Sequence, residues 1–384
     1  MLQRKIYKTS MVVMLATIIL QGCAVDGGLK TSPANPVNIN DSGITANQCY
    51  QSGNNVLADC TSEVAKASGN MQDGMLGRDI TPATNTNNDG KLGFSFSNVT
   101  GACVLDNVTG LMWEIKTTDG GLRDQGKTYT HFSREYDPTL LYSTATNAAG
   151  YVDAVNATNL CGYNDWRLPT VDELQSLIDY AVANPGPTID TTWFTDMQGG
   201  LIFWAEPPYH GYPAVAWSVG FSYGVTKYSD REQAYSVRLV RAGHPPAAPR
   251  YAISADGQEV TDHHTRLIWR QCAEGMVFKG GTCRGVATAF MHESAMQLPA
   301  TPADKASGWR LPNVKELASI TDKSRSDPAI DPAAFPATPP NWFWSASPYV
   351  GNPHYTWGVN FQSGAVNQPN RLNTFYVRLV RMGQ

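Results

Sequence analysis

The sequence predicts an α+β protein made of two tandem copies of one domain, each an amphipathic helix followed by a strand-rich antiparallel half. Three observations carry this reading. Residues 165–178 read DWRLPTVDELQSLI and residues 308–320 read GWRLPNVKELASI. The stretch Val104 to Trp113 matches Val260 to Trp269, and Trp204 to Arg241 matches Trp344 to Arg381 without a gap, both ending in Val-Arg-Leu-Val-Arg. Such self-similarity marks a duplication. Between and after the matched phrases lie short runs in which aromatic and aliphatic residues alternate with Gly turns, the pattern of antiparallel strands.

The elements follow in chain order. Arg4, Lys5 and Lys8 precede the apolar run Met11 to Leu20, the layout of a signal peptide over residues 1–22. The run is too short to span a bilayer. It ends in Leu20-Gln21-Gly22-Cys23, which resembles a bacterial lipobox. Cys23 is thus the expected lipidation site and mature N-terminus, and Ala24 in place of Asp implies sorting to the outer membrane. Residues 23–95 are rich in Asn, Gly, Ser, Thr and Asp, so a mostly extended polar tether is expected there, with one small disulfide loop. Within it Asn85 to Phe96 looks like the opening of an EF-hand loop. Phe96 stands where a bidentate Glu is needed, and a polar turn is the reading.

The first domain is expected over residues 96–243 and the second over 251–384, joined by a Pro-rich linker at 244–250 that should hold them semi-rigidly apart. Removing Cys23 from the seven cysteines leaves six, in a compartment where disulfides persist. Cys49 with Cys60 and Cys272 with Cys283 are spaced to close small loops, which leaves Cys103 with Cys161. Opposite this last pair, copy two has Glu259 and Asp304. Both cysteines are missing together, as expected of partners.

In the repeated phrase, Thr170 with Glu173 and Asn313 with Glu316 are helix-capping patterns. Val171, Leu174, Leu177 and Ile178 then repeat at helical spacing, which predicts a helix of about three turns. Alternation of Trp166, Arg167 and Leu168 puts Arg167 opposite the core face, with Asp179, Asp190, Asp322 and Asp331 as expected acidic partners of this arginine and its counterpart.

These residues resemble the Lcl C-terminal domain family of bacterial surface proteins. The resemblance rests on DNVTGLMW and TDHHTRLIW, the two WRLP phrases, Ile189-Asp190 and Ile330-Asp331 before Phe194 and Phe335, FWSASP at 343–348, and the terminal VRLVR. It implies a C-type-lectin-like fold, shared with formylglycine-generating enzymes, and a surface-adhesion or ligand-binding role. It carries no catalytic residues.

The chain has a net charge of −4 and no basic run, so nucleic acid is not an expected partner. None of the seven histidines aligns between the copies, no cysteine recurs, and no Ser sits in a nucleophile elbow. A binding protein without catalysis or cofactor is therefore expected, its partners being outer-membrane lipid through Cys23 and a glycan or protein ligand. The alternatives are a scaffold subunit of an envelope or secretion assembly, and an enzyme related to the formylglycine-generating folds. For ligand contacts the sequence offers the matched Arg231 and Arg371, the aromatics Tyr209 and Tyr349, with Tyr212 and Tyr355 beside them, and Gln368-Pro369-Asn370, which looks like a sugar- and calcium-coordinating tripeptide. Arg238, Arg241, Arg378 and Arg381 either join the matched arginines in one surface or make internal ion pairs.

Overall fold

Alternating apolar side chains close the same two sheets in each copy. In copy one, Phe96–Asn98, Cys103–Asp106, Leu111–Glu114 and Val240–Ala242 form a four-stranded antiparallel sheet, so the last strand pairs with a strand from the start of the domain. Tyr251–Ile253, Glu259–Asp262, Leu267–Arg270 and Val380–Met382 repeat it in copy two. Each copy adds a three-stranded meander, Ile202–Pro208, Val215–Gly220 and Val225–Asp230 in the first, Trp342–Pro348, Thr356–Asn360 and Ala365–Asn367 in the second. This computed structural model describes residues 39–69, 71–76, 93–131, 146–197, 202–242 and 249–383. Cys23, the expected signal peptide, most of the EF-hand-like stretch and most of the linker lie outside them; Phe96 is buried in the first sheet.

Four matched tryptophan pairs, Trp113 with Trp269, Trp166 with Trp309, Trp204 with Trp344 and Trp217 with Trp357, are buried and set the scale of each core. The turn between the second and third strands shows how two sequences reach one geometry. Asp106 and Asp262 both accept backbone N–H groups of the turn. Gly110 then takes a positive φ of 72°, and copy two places Arg266 there at φ 60°, a conformation Gly reaches without a Cβ clash.

The repeated phrase folds as its capping signals require, but more tightly than the periodicity suggests. Thr170 and Asn313 each close a capping box with Glu173 and Glu316. The helices are only six residues long, Val171–Ser176 and Val314–Ser319, not three turns. Leu177 and Ile178 stay buried after the helix ends because the chain turns back over the core.

The two copies are not held apart. The described residues of both copies form one compact unit, and one apolar cluster runs through both domains. Matched elements meet matched elements. The two capped helices pack together, and so do the third meander strands. Tyr180 packs edge-on against Trp357 at 4.7 Å, while Lys323, which occupies the position of Tyr180 in copy two, lies 5.7 Å from the Trp217 ring. This is the pattern of an isologous, two-fold interface inside one chain.

The expected tether is folded where it is described. The hairpin Cys49–Tyr50 with Leu57–Ala58, closed by the Cys49–Cys60 disulfide, leads into the helix Glu63–Ser68 and a 3-10 turn Asp73–Met75. Polar composition suggested solvation, yet Asn40, Gln72 and Asp73 are buried, with Asn40 Nδ2 donating to Asp106, Gln72 Nε2 to Tyr50 O and Asp73 accepting from Ser347. The other disulfides join Cys103 to Cys161 and Cys272 to Cys283.

Candidate functional site

Sequence alignment missed one repeated constellation. His131 and His292 occupy the same place in the two copies, separated from Trp204 and Trp344 by chain segments of different length. Each Nε2–H donates to a meander carbonyl, Ala205 O or Ser345 O, at 3.0 Å. Each ring stands edge-on to its tryptophan, at 5.1 and 5.3 Å. The matched arginine closes the group: Arg231 donates to His131 O at 2.9 Å, and Arg371 donates to His292 Nδ1 at 3.1 Å. Burial, reinforced by these guanidinium groups, pushes the histidines down to about 4 and about 3. Both rings are neutral at pH 7. One histidine thus recurs in both copies, against the expectation from the sequence. Unequal insertions had hidden the match.

The same geometry removes Arg231 and Arg371 from the expected ligand surface, since both are 5% exposed. Arg371 also holds Asn55 Oδ1 at 2.7 Å and lies 3.7 Å from the Tyr50 ring. Nor do the other arginines converge on a surface. Arg238 pairs with Asp196, Arg241 with Asp165 and Arg381 with Glu259. Arg378 donates to main-chain carbonyls and Thr338, without a carboxylate pair among the described residues. Arg167 pairs bidentately with the capping Glu173, and Arg310 with Glu316, replacing the expected aspartates because the helix start places its own glutamate six residues away.

Gln368, Pro369 and Asn370 form the edge of a turn. The Asn370 Oδ1 accepts Leu372 N–H at 2.9 Å, and the Pro369 carbonyl accepts Thr356 N–H. Among the described residues no group of three or more acidic, His or Cys side chains is placed to hold a metal ion. Tyr349 is buried against Trp357 and Tyr355 is half-buried, its carbonyl taken by Tyr50.

Tyr209 fares differently. It sits at the end of the first meander strand, and the turn to Val215 carries Tyr212 beside it. Tyr228, directly across from Trp217 in the third strand, completes a row. Ring centres lie 4.5 Å apart for Tyr209–Tyr228 and 5.9 Å apart for Tyr209–Tyr212, over the buried Trp217. Tyr212 is 67% exposed and Tyr228 53%. Burial of its own ring, then the neighbouring phenols, raises the Tyr209 hydroxyl above the usual tyrosine range. Copy two has Asn352 and Gln368 in place of Tyr212 and Tyr228. The row belongs to copy one alone, and Tyr228 joins it through a strand pairing with Trp217 that the sequence does not show.

Elsewhere lies a cleft of about 600 Å³ between the copies, whose charges are Asp172, Glu206, Arg250, Asp322, Lys323 and Asp331. Lys323 reaches Asp172 at 3.4 Å, and Arg250 is paired with Asp262.

The Lcl C-terminal domain matches this sequence twice, over residues 102–241 and 258–381. The chain belongs to the Lcl C-terminal domain family. Each match begins just before the second strand of the four-stranded sheet and ends in the strand that closes it, so the matched unit holds three of the sheet's four strands and the whole meander. No curated protein matches the sequence. The architecture is mixed α/β, with antiparallel sheets and few helices in a two-domain layout.

Proposed function

We propose that this Lcl protein is an outer-membrane lipoprotein, anchored through Cys23, that works by binding glycans and not by catalysis. The tyrosine row of copy one carries the reading. Sugar rings have apolar faces and polar edges, and the exposed Tyr212 and Tyr228 beside the half-buried Tyr209 offer flat apolar area with hydroxyls at its rim. The C-type-lectin-like fold implied by the family resemblance fits a display role. The matched histidines support a reading without chemistry, because each is buried, neutral and committed to a backbone carbonyl.

The full-length chain in detergent, applied to a glycan array with calcium and with chelator, at low and high salt, tests this. Binding that survives chelation and salt and falls about three- to tenfold in Tyr228→Ala is expected, the loss of one aromatic contact being worth about 0.5–1.5 kcal/mol. Binding lost with chelator would return attention to Gln368 and Asn370. Silence on the array, with a protein crosslinked to the cleft in the native envelope, would favour a scaffold subunit. The charged walls of that cleft are what speaks for this second reading.

A further inference from the structure

The N-terminal segment grips both copies at once. On copy one, Asn40 Nδ2 donates to Asp106 Oδ2 at 2.6 Å, Tyr180 N–H to Ser42 O at 2.9 Å, and Gln48 Nε2 to Ala181 O at 3.1 Å. On copy two, Asn313 Nδ2 donates to Asp41 Oδ1 at 2.9 Å and Ser347 Oγ to Asp73 Oδ2 at 2.5 Å. The disulfide-closed loop then covers the His292–Arg371 group. Tyr50, fully buried, donates its hydroxyl to Tyr355 O at 2.6 Å, and Gly53 N–H donates to Glu293 Oε1 at 2.7 Å.

Where segment and copies meet, the junction is buried and rich in acids. Asp73 is 4% exposed and faces Asp41 of its own segment and Glu316 and Arg310 of copy two. Arg310 is already held by both oxygens of Glu316. The remaining cation, Lys315, donates to Ser176 O at 2.8 Å, lies over the Phe94 ring and is shared among Asp41, Asp73, Asp106 and Asp179. An ionised Asp73 would thus sit buried beside two other carboxylates, with the nearest guanidinium already committed to Glu316.

We propose that this segment is a proton-operated clasp over copy two, closed when the Asp73 carboxyl carries its proton and loosened when it ionises. The hydroxyls of Ser347 and Ser42 both donate to this carboxyl and favour its ion, but burial and the neighbouring Asp41 outweigh them. Burial, then Asp41, holds Asp73 up to about 8, against an ordinary carboxylate range near 4 once the segment lifts away. Burial pushes Lys315 down to about 7, so below that pH it keeps its proton whether the clasp is docked or not. Between about pH 4 and pH 7 the docked segment therefore binds one proton more than the free one, and docking weakens as pH rises, by up to about tenfold per pH unit. Opening releases the disulfide-closed loop from Arg371 and Glu293, while His292 stays packed on Trp344 and bonded to Ser345 O.

Amide hydrogen exchange on the full-length chain at pH 5, 6 and 7, corrected for the intrinsic pH dependence of exchange, reads the docking equilibrium at Tyr50 and in the helix Glu63–Ser68. Protection there is expected to fall by up to about tenfold per unit in the unmodified chain and to be flat in Asp73→Asn, which mimics the protonated carboxyl. Asp41→Asn removes the neighbouring charge that raises Asp73, so its decline should stop at a lower pH. A pH-independent protection in the unmodified chain, or an unchanged slope in Asp73→Asn, would overturn the clasp. Should Asp73→Asn fail to fold, an unchanged pH window in Asp41→Asn would overturn it instead.

Discussion

The two copies hold the same tryptophan scaffold together by different chemistry. At the edge of the first sheet, copy one joins Cys103 to Cys161 covalently. Copy two, with Glu259 and Asp304 at those positions, ties them through arginines: Arg381 donates to Glu259, Arg270 pairs with Asp304, and both guanidinium groups lie on the Trp309 ring, at 5.2 and 4.3 Å. The capping ion pair differs in burial and not in design. Side chains of Arg310 and Glu316 are 10% and 6% exposed, those of Arg167 and Glu173 43% and 20%. Copy two is the drier member, partly because the N-terminal segment packs on it. The comparison teaches that a duplicated fold conserves the shape of its core while its polar attachments follow each copy's own exposure.

The sharpest way to break that comparison is to remove the same glutamate from each copy. Glu316→Ala leaves Arg310 buried without its partner and should cost about 3–5 kcal/mol. Glu173→Ala loses a cap and a partly screened pair and should cost about 1 kcal/mol. Equal losses in urea unfolding would show that burial does not distinguish the copies.

The edge attachment comes next. The Cys103–Cys161 bond spans 58 residues of sequence, so replacing both with Ser should cost roughly 4 kcal/mol, whereas Asp304→Ala in copy two should cost less than about 1 kcal/mol. Thermal melts of the two variants against the parent decide it. A larger loss for Asp304→Ala would mean that the arginine–tryptophan stack is an equal substitute for the bond.

The histidines sharpen what the copies share. A ring at about 4 or about 3 when folded and near 6.5 when unfolded contributes stability that is present above pH 6.5 and lost as pH falls toward the folded value. Each should remove about 3 kcal/mol by pH 4, and His292→Gln or His131→Gln should reduce the acid slope of the unfolding midpoint by about one proton. This runs opposite to the clasp, which tightens in acid, so local exchange at the segment and global unfolding should respond to pH with opposite signs.

Much of the fold was legible because it rests on local signals. Capping boxes at Thr170 and Asn313, the alternation around Trp217 and Trp357, and the missing cysteine pair in copy two all act over a few residues or repeat within the chain. The helix length was misjudged because Leu177 and Ile178 are apolar for the sake of the core, at a spacing that a helix would share. Of the candidate site, only Tyr209 and Tyr212 were legible as exposed aromatics; Tyr228 joins them across a strand pairing that sequence distance does not reveal.

What the sequence determined by itself is therefore the duplication, the family, the strand-rich α+β character and the three disulfides. Their causes are periodicity, matched motifs and cysteine pairing, all of which survive without knowing which surfaces touch. The tertiary structure alone decided that the copies pack face to face, that Arg231 and Arg371 serve buried histidines, and that residues taken for a tether close over copy two. Those outcomes depend on where a side chain's hydrogen bonds and charges find partners. Composition counts such groups but cannot say whether water or the protein satisfies them.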